Sequence, residues 1–122
     1  MVSLFLVPLV QFFASFLLPF VYWPEMLNWP WLLNIGWLAY RDILIVHTPV
    51  LLYFLSSLYK FFGTNTQTLH VFGATLLGIS NFCVSFVVFS QTKSKKIAIL
   101  SSVIFLLLSF GFNGNHVWFE SL

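Results

Sequence analysis

Leu69-His70-Val71-Phe72-Gly73-Ala74-Thr75-Leu76-Leu77-Gly78-Ile79-Ser80-Asn81-Phe82-Cys83-Val84-Ser85-Phe86-Val87-Val88-Phe89-Ser90 decides the fold. The run contains no Asp, Glu, Lys or Arg. At 1.5 Å per helical residue it covers about 33 Å, enough for the roughly 30 Å hydrocarbon core of a bilayer. Ala74, Gly78, Asn81 and Ser85 recur on one helical face. Small and polar residues on one face of an apolar helix mark where another membrane helix packs closely. Downstream, Gln91-Thr92-Lys93-Ser94-Lys95-Lys96 holds the chain's basic cluster. Ile97 to Phe112 is a further apolar run, and Asn113-Gly114-Asn115-His116-Val117-Trp118-Phe119-Glu120 is polar and aromatic.

The composition agrees with this reading. Of 122 residues, 60% are hydrophobic and 7% charged, with a mean hydropathy of +0.97. Soluble domains carry about 25% charged residues. A water-soluble chain of this composition would expose large apolar patches and aggregate, so the solvent is expected to be largely lipid. The net charge of +2 comes from few groups, and no basic strip is long enough to follow a nucleic-acid backbone. Cys83 is the single cysteine, which excludes an intrachain disulfide; its place in an apolar run suggests a packed, inert thiol.

Upstream, Val2 to Trp23 has no charged residue and reads as a first span, kinked at Pro8 and Pro19. It lacks the basic start and small-residue cleavage site of a secretory signal, so a retained anchor is expected. Four of the five tryptophans lie between Trp23 and Trp37. Trp favours the headgroup level, so Pro24 to Trp37 reads as short helical pieces lying in the interface. Pro24 suits a first helical turn, Pro30 is expected to interrupt the helix, and Gly36 to end it. Thr48 to Phe62 is apolar but too short for a comfortable span, with Thr48-Pro49 as its start and Gly63 as its C-cap. Thr64 to Thr68 reads as a polar turn.

The fold class expected is therefore all-α integral membrane, a single membrane domain over residues 1–122. About three spans (2–23, 69–90 and 97–112) flank a loop over 24–68 that carries interfacial helices. The positive-inside rule places Lys93, Lys95 and Lys96 in the cytoplasm and the 24–68 loop on the extracytoplasmic side of the plasma or inner membrane. The three acids (Glu25, Asp42, Glu120) and the three histidines (His47, His70, His116) then share that outer side.

Each of these residues has a structural reading. Glu25 fits a first-turn acid favoured by the helix dipole. Asp42 follows Arg41, but adjacent side chains diverge, so the two need not pair, and Asp42 is as readily a cap for the next segment. His47 has no partner at metal-ligand spacing within its stretch. No nucleophile elbow, glycine-rich phosphate loop or paired-cysteine site is present.

The order of these residues resembles a family. Glu25 just after the first apolar run, the interfacial aromatics, Gly36-x-x-x-Tyr40-Arg41-Asp42, His47-Thr48-Pro49 and Phe62-Gly63 look like the N-terminal part of GT-C type polytopic glycosyltransferases, such as protein mannosyltransferase and aminoarabinose transferase relatives. The likeness extends to the Lys93–Lys96 loop and to Asn115 through Glu120. It implies transfer of a sugar from a polyprenyl-phosphate donor to an acceptor hydroxyl, with an acidic residue of the first external loop as base. By that resemblance Glu25 or Asp42 is the base, Arg41 and His47 lie near the phosphate, and Glu120 is a second-loop acid. A divalent metal ion or a basic side chain would stabilise the departing phosphate. Many relatives carry Asp-Glu after the first span where this chain has Pro24-Glu25; either Glu25 has taken the role, or Asp42 has, or the chain is inactive. Members are much longer, so the resemblance also implies an N-terminal fragment that does not turn over alone and needs the remaining helices of a longer polypeptide or a partner membrane protein. The alternative is a small non-enzymatic membrane protein packing against a larger complex through the Ala74-Gly78-Asn81-Ser85 face. A transporter fragment would want ionisable groups within its spans, and these have none.

Overall fold

Helices dominate the described residues, in keeping with the all-α expectation. A computed structural model describes residues 2–17, 20–43, 50–110 and 115–117. The elements are α1 (Val2–Ala14) with a 3-10 turn (Ser15–Leu17), β1 (Phe20–Tyr22), α2 (Glu25–Asn34), α3 (Val50–Phe62), α4 (Thr66–Thr92), α5 (Lys95–Leu108) and β2 (Asn115–Val117). They group into two compact units, one of Met1–Val21 with Phe72–His116, the other of Tyr22–Val71 with Val117–Leu122. The short pairing of β1 with β2 is absent from the sequence reading. Strands of three residues carry too little alternation to show a period of two.

Among the described helices, α4 alone is long and apolar enough to cross a membrane. It exceeds the expected span at both ends. Asn65 caps its start, its Oδ1 accepting the Thr68 N–H at 2.7 Å, so Thr66–Thr68 is helix rather than polar turn. The expected first span is shorter than foreseen. Its α-helix ends at Ala14 and its last turn tightens to 3-10 geometry at Ser15–Leu17, just ahead of Pro19. The Ser15 hydroxyl donates to the Gln11 carbonyl at 2.9 Å, a back-bond that bends or weakens a helix end. Pro8 is accommodated inside α1. The helix of the third apolar run begins two residues early, at Lys95, because Ser94 accepts the Ile97 N–H, and it covers 14 residues.

The first unit is polar inside and apolar outside. Gln11, Ser15, Ala74, Asn81, Ser85, Ala98, Ser102 and Ser109 are buried, whereas Phe13, Val87, Leu100 and Leu107 are exposed. A continuous hydrogen-bond network fills the interior. Gln11 Nε2 donates to Ser109 Oγ at 2.9 Å, Asn81 Nδ2 donates to Gln11 Oε1 and to the Ser102 carbonyl, and Ser102 Oγ donates to Asn81 Oδ1. Gly78 faces α1; a Cβ there would make ordinary contact with the Pro8 carbonyl oxygen at 3.5 Å, so a small side chain would also fit. The face of Ala74, Gly78, Asn81 and Ser85 is thus a helix-packing face, as its composition foretold, and α1 and α5 occupy it. Cys83 departs from expectation: it is exposed rather than packed.

The second unit packs α2 against α3. Met26, Leu52 and Leu55 are fully buried, and Trp29, Leu32, Leu33 and Ala39 cover Ile43 and Leu52. Pro30 does not interrupt α2 but sits buried within it. A proline at 30 removes the N–H that would bond the Met26 carbonyl, four residues back. Tyr59 of α3 supplies the replacement, its hydroxyl donating to the Met26 carbonyl at 3.0 Å. Burial, and the nearby Tyr22, push the Tyr59 phenol far above its ordinary range, so it remains a donor at any physiological pH. Tyr59→Phe should therefore destabilise the α2–α3 unit by about 1–3 kcal/mol, the cost of an unpaired buried acceptor. Pro30→Ala returns an N–H to that carbonyl, so Tyr59→Phe should cost much less in a Pro30→Ala background. Hydrogen exchange of the α2 amides measures both; equal costs in the two backgrounds would refute the compensation.

Candidate functional site

Glu25, Arg41 and Asp42 belong to the second unit, on α2 and on the turn that follows it. The turn is built from the end of α2. Gly36 takes a left-handed backbone (φ 101°), its N–H bonds the Leu33 carbonyl at 3.2 Å, and the Trp37 N–H bonds the Leu32 carbonyl at 3.1 Å. That is a Schellman closure, and only glycine adopts its left-handed position without strain. The chain reverses again at Tyr40, also left-handed (φ 65°), and the Tyr40 N–H bonds the Ile43 carbonyl at 3.0 Å. Ile43 is thereby carried into the core beside Leu52. Asn34 and Ser56 fix the end of α2 to α3: Ser56 Oγ donates to Asn34 Oδ1 at 2.6 Å, and Asn34 Nδ2 donates to the Ser56 carbonyl at 3.0 Å.

Arg41 and Asp42 do pair, contrary to the expectation for neighbours. Arg41 Nε donates to Asp42 Oδ1 at 2.9 Å and Arg41 Nη2 to Asp42 Oδ2 at 2.8 Å. Adjacent side chains diverge on an extended strand; the tight turn after left-handed Tyr40 brings these two together. The segment that Asp42 was expected to cap begins outside the described residues, and among them Asp42 bonds back along the chain. Its Oδ2 accepts the Leu38 N–H at 2.9 Å while its own N–H bonds the Leu38 carbonyl, also at 2.9 Å, closing the turn backwards. The Arg41 hydrogen bonds and the Leu38 N–H hold the Asp42 carboxyl below the usual carboxylate range. Asp42 is a committed anion and a weak base. Arg41, its own pKa raised by the same pair, stays charged and mostly exposed, with Nη1 outside the contacts to Asp42.

Glu25 is held differently. It opens α2 directly after Pro24, as a first-turn acid should. Its Oε2 is buried and has no hydrogen-bond partner among the described residues. Burying a carboxylate oxygen without a partner is costly, and such strain concentrates where a proton or ligand is handled. No hydrogen bond or ion pair joins Glu25 to Arg41 or Asp42 among the described residues. His47 and Glu120 lie outside the described residues, as does the Thr48-Pro49 helix start. The described residues contain no group of three or more His, Cys, Asp or Glu suited to a metal ion. Among the described residues both Asp42 oxygens are engaged by Arg41 and Leu38, so these residues alone do not make up a donor set for the divalent metal that the resemblance allows.

Two groups of consequence escaped the sequence reading. Gln11 is the single side-chain amide between Val2 and Leu17, a signal that was available. Tyr59 had none, since its partner lies 33 residues away. No protein family, curated protein or solved structure matches this chain.

Proposed function

We propose that the chain is an integral membrane protein whose α2–α3 unit forms one wall of an extracytoplasmic site for sugar transfer from a polyprenyl phosphate to an acceptor hydroxyl. The membrane part of this reading is supported by the first unit, which hides amides and hydroxyls and exposes Phe, Leu and Val, the arrangement suited to lipid rather than water. The positive-inside rule then sets Lys93, Lys95 and Lys96 in the cytoplasm and residues 24–68 outside.

The observation that carries the chemical part is the buried Glu25 Oε2, without a hydrogen-bond partner among the described residues. Glu25 is the base: as the acceptor oxygen bonds the anomeric carbon, its proton passes to Glu25, and the carbon–oxygen bond to the phosphate breaks with its electron pair leaving on the phosphate. Phosphate is a good leaving group, so no general acid is required. Asp42 holds Arg41 in place, and the remaining donors of Arg41 face the phosphate charge. The resemblance to GT-C glycosyltransferases supplies the substrate class, and the rest of the donor pocket comes from further helices of a longer polypeptide or a partner. The second reading, a non-enzymatic subunit docking through the Ala74–Ser85 face, loses its surface, because that face is already used within the first unit.

Two measurements test this. A photoreactive polyprenyl phosphate added to vesicles holding the chain should label residues 24–62, and the phosphate-free polyprenol should not; equal labelling by both would refute a phosphate site. In a Cys83→Ser background, Thr66→Cys should react with a membrane-impermeant maleimide from outside. Reaction from the cytoplasmic side alone would invert the topology and remove the site from the donor's side.

A further inference from the structure

We infer that the turn joining α4 to α5 is a binding surface for the headgroup of an anionic phospholipid. Lys93 lies in the turn with a left-handed backbone (φ 56°), and Lys95 and Lys96 form the first residues of α5. All three are exposed. Among the described residues none of their side chains makes an ion pair or hydrogen bond. Three like charges within four residues repel one another, and two of them stand at the positive end of a helix dipole. An anion at the turn relieves both terms. The surface is a lysine cluster rather than a vacant helix terminus, because the Ser94 side chain already accepts the Ile97 N–H.

The flanks select a lipid over a free anion. Val87, Ile97 and Leu100 are each at least half exposed. They stand within about two helical turns of the lysines along α4 and α5. The charged turn is therefore continuous with apolar walls, and the matching ligand has a negative head on an apolar tail. Juxtamembrane lysine clusters attract anionic headgroups in this way. The inference goes beyond the proposed transfer site and rests only on its membrane placement.

The test uses the full chain in vesicles of phosphatidylcholine and phosphatidylglycerol, with retained lipid counted by native mass spectrometry. The wild type should hold phosphatidylglycerol with a preference of about tenfold, weakening as salt is raised. K93Q/K95Q/K96Q should lose the preference and K93R/K95R/K96R should keep it. An undiminished preference in the glutamine variant would overturn the assignment. So would complete displacement of the lipid by excess inorganic phosphate, which marks a simple anion site. Failure of the membrane placement reads differently, as loss of the chain from the vesicle fraction; failure of the lipid assignment reads as a vesicle-bound chain without anionic preference.

Discussion

Glu25→Gln is expected to lower sugar transfer by about 10²–10⁴-fold, the usual contribution of a positioned general base. The substitution keeps the size of the side chain and its place at the start of α2, and removes only the ability to take a proton. Labelling by the photoreactive polyprenyl phosphate should persist, since Glu25 does not contact the phosphate in this scheme. The loss should therefore fall on kcat rather than on donor KM. Asp42→Asn should behave differently. It weakens the clamp on Arg41 and the closure onto Leu38 N–H, so it should raise donor KM with a smaller effect on kcat. The assay belongs in the full assembly that supplies the rest of the donor pocket. Wild-type turnover in Glu25→Gln, with a collapse of kcat in Asp42→Asn, would transfer the base to Asp42 and refute the argument from the unpartnered Oε2.

How much of this was legible beforehand depends on the range of the interactions. The α4 helix was legible because a long uncharged apolar run needs no partner to be recognised, and its small-residue face announced that another helix would cover it. The first run misled because hydropathy counts side chains and ignores the backbone: the α-helix gives way to a 3-10 turn at Ser15, whose hydroxyl bonds the Gln11 carbonyl, inside a stretch that is uncharged throughout. Pro30 misled in the other direction. A proline is destructive only if the carbonyl it orphans stays unpaired, and Tyr59, distant in sequence, pairs it. The Gly36 closure was readable, since glycine is the residue for that backbone, but the second reversal at Tyr40 was not, and with it went the Arg41–Asp42 pair. At the candidate site, sequence order put Glu25 ahead of Asp42 by little. Their different burial and hydrogen bonding were not readable, because those depend on the packed unit.

The interior network of the first unit makes the second large prediction. Asn81 bonds Gln11 through its amide nitrogen, and Ser102 through both nitrogen and oxygen. Asn81→Leu should destabilise the unit by about 3 kcal/mol, since each buried group left unpaired costs about 1–3 kcal/mol and the proposed membrane setting would offer no water to compensate. Gln11→Leu should cost about 1–3 kcal/mol, since it takes one partner from Asn81 Nδ2 and one from Ser109 Oγ, although Asn81 keeps Ser102 and Ser109 still donates to the Leu106 carbonyl. The double variant should cost clearly less than the sum, because replacing both partners with apolar groups removes the unpaired atoms along with the bond. Ser85→Ala, on the same face of α4 as Asn81, should have the opposite sign. Its buried hydroxyl has no partner among the described residues, so deleting it relieves a desolvation cost and should be neutral or stabilising. Thermal unfolding in detergent micelles gives all four values on one scale. Strict additivity of Gln11→Leu and Asn81→Leu, or a Ser85→Ala cost as large as that of Asn81→Leu, would mean that apolar packing holds the helices and that the polar interior is incidental to their register.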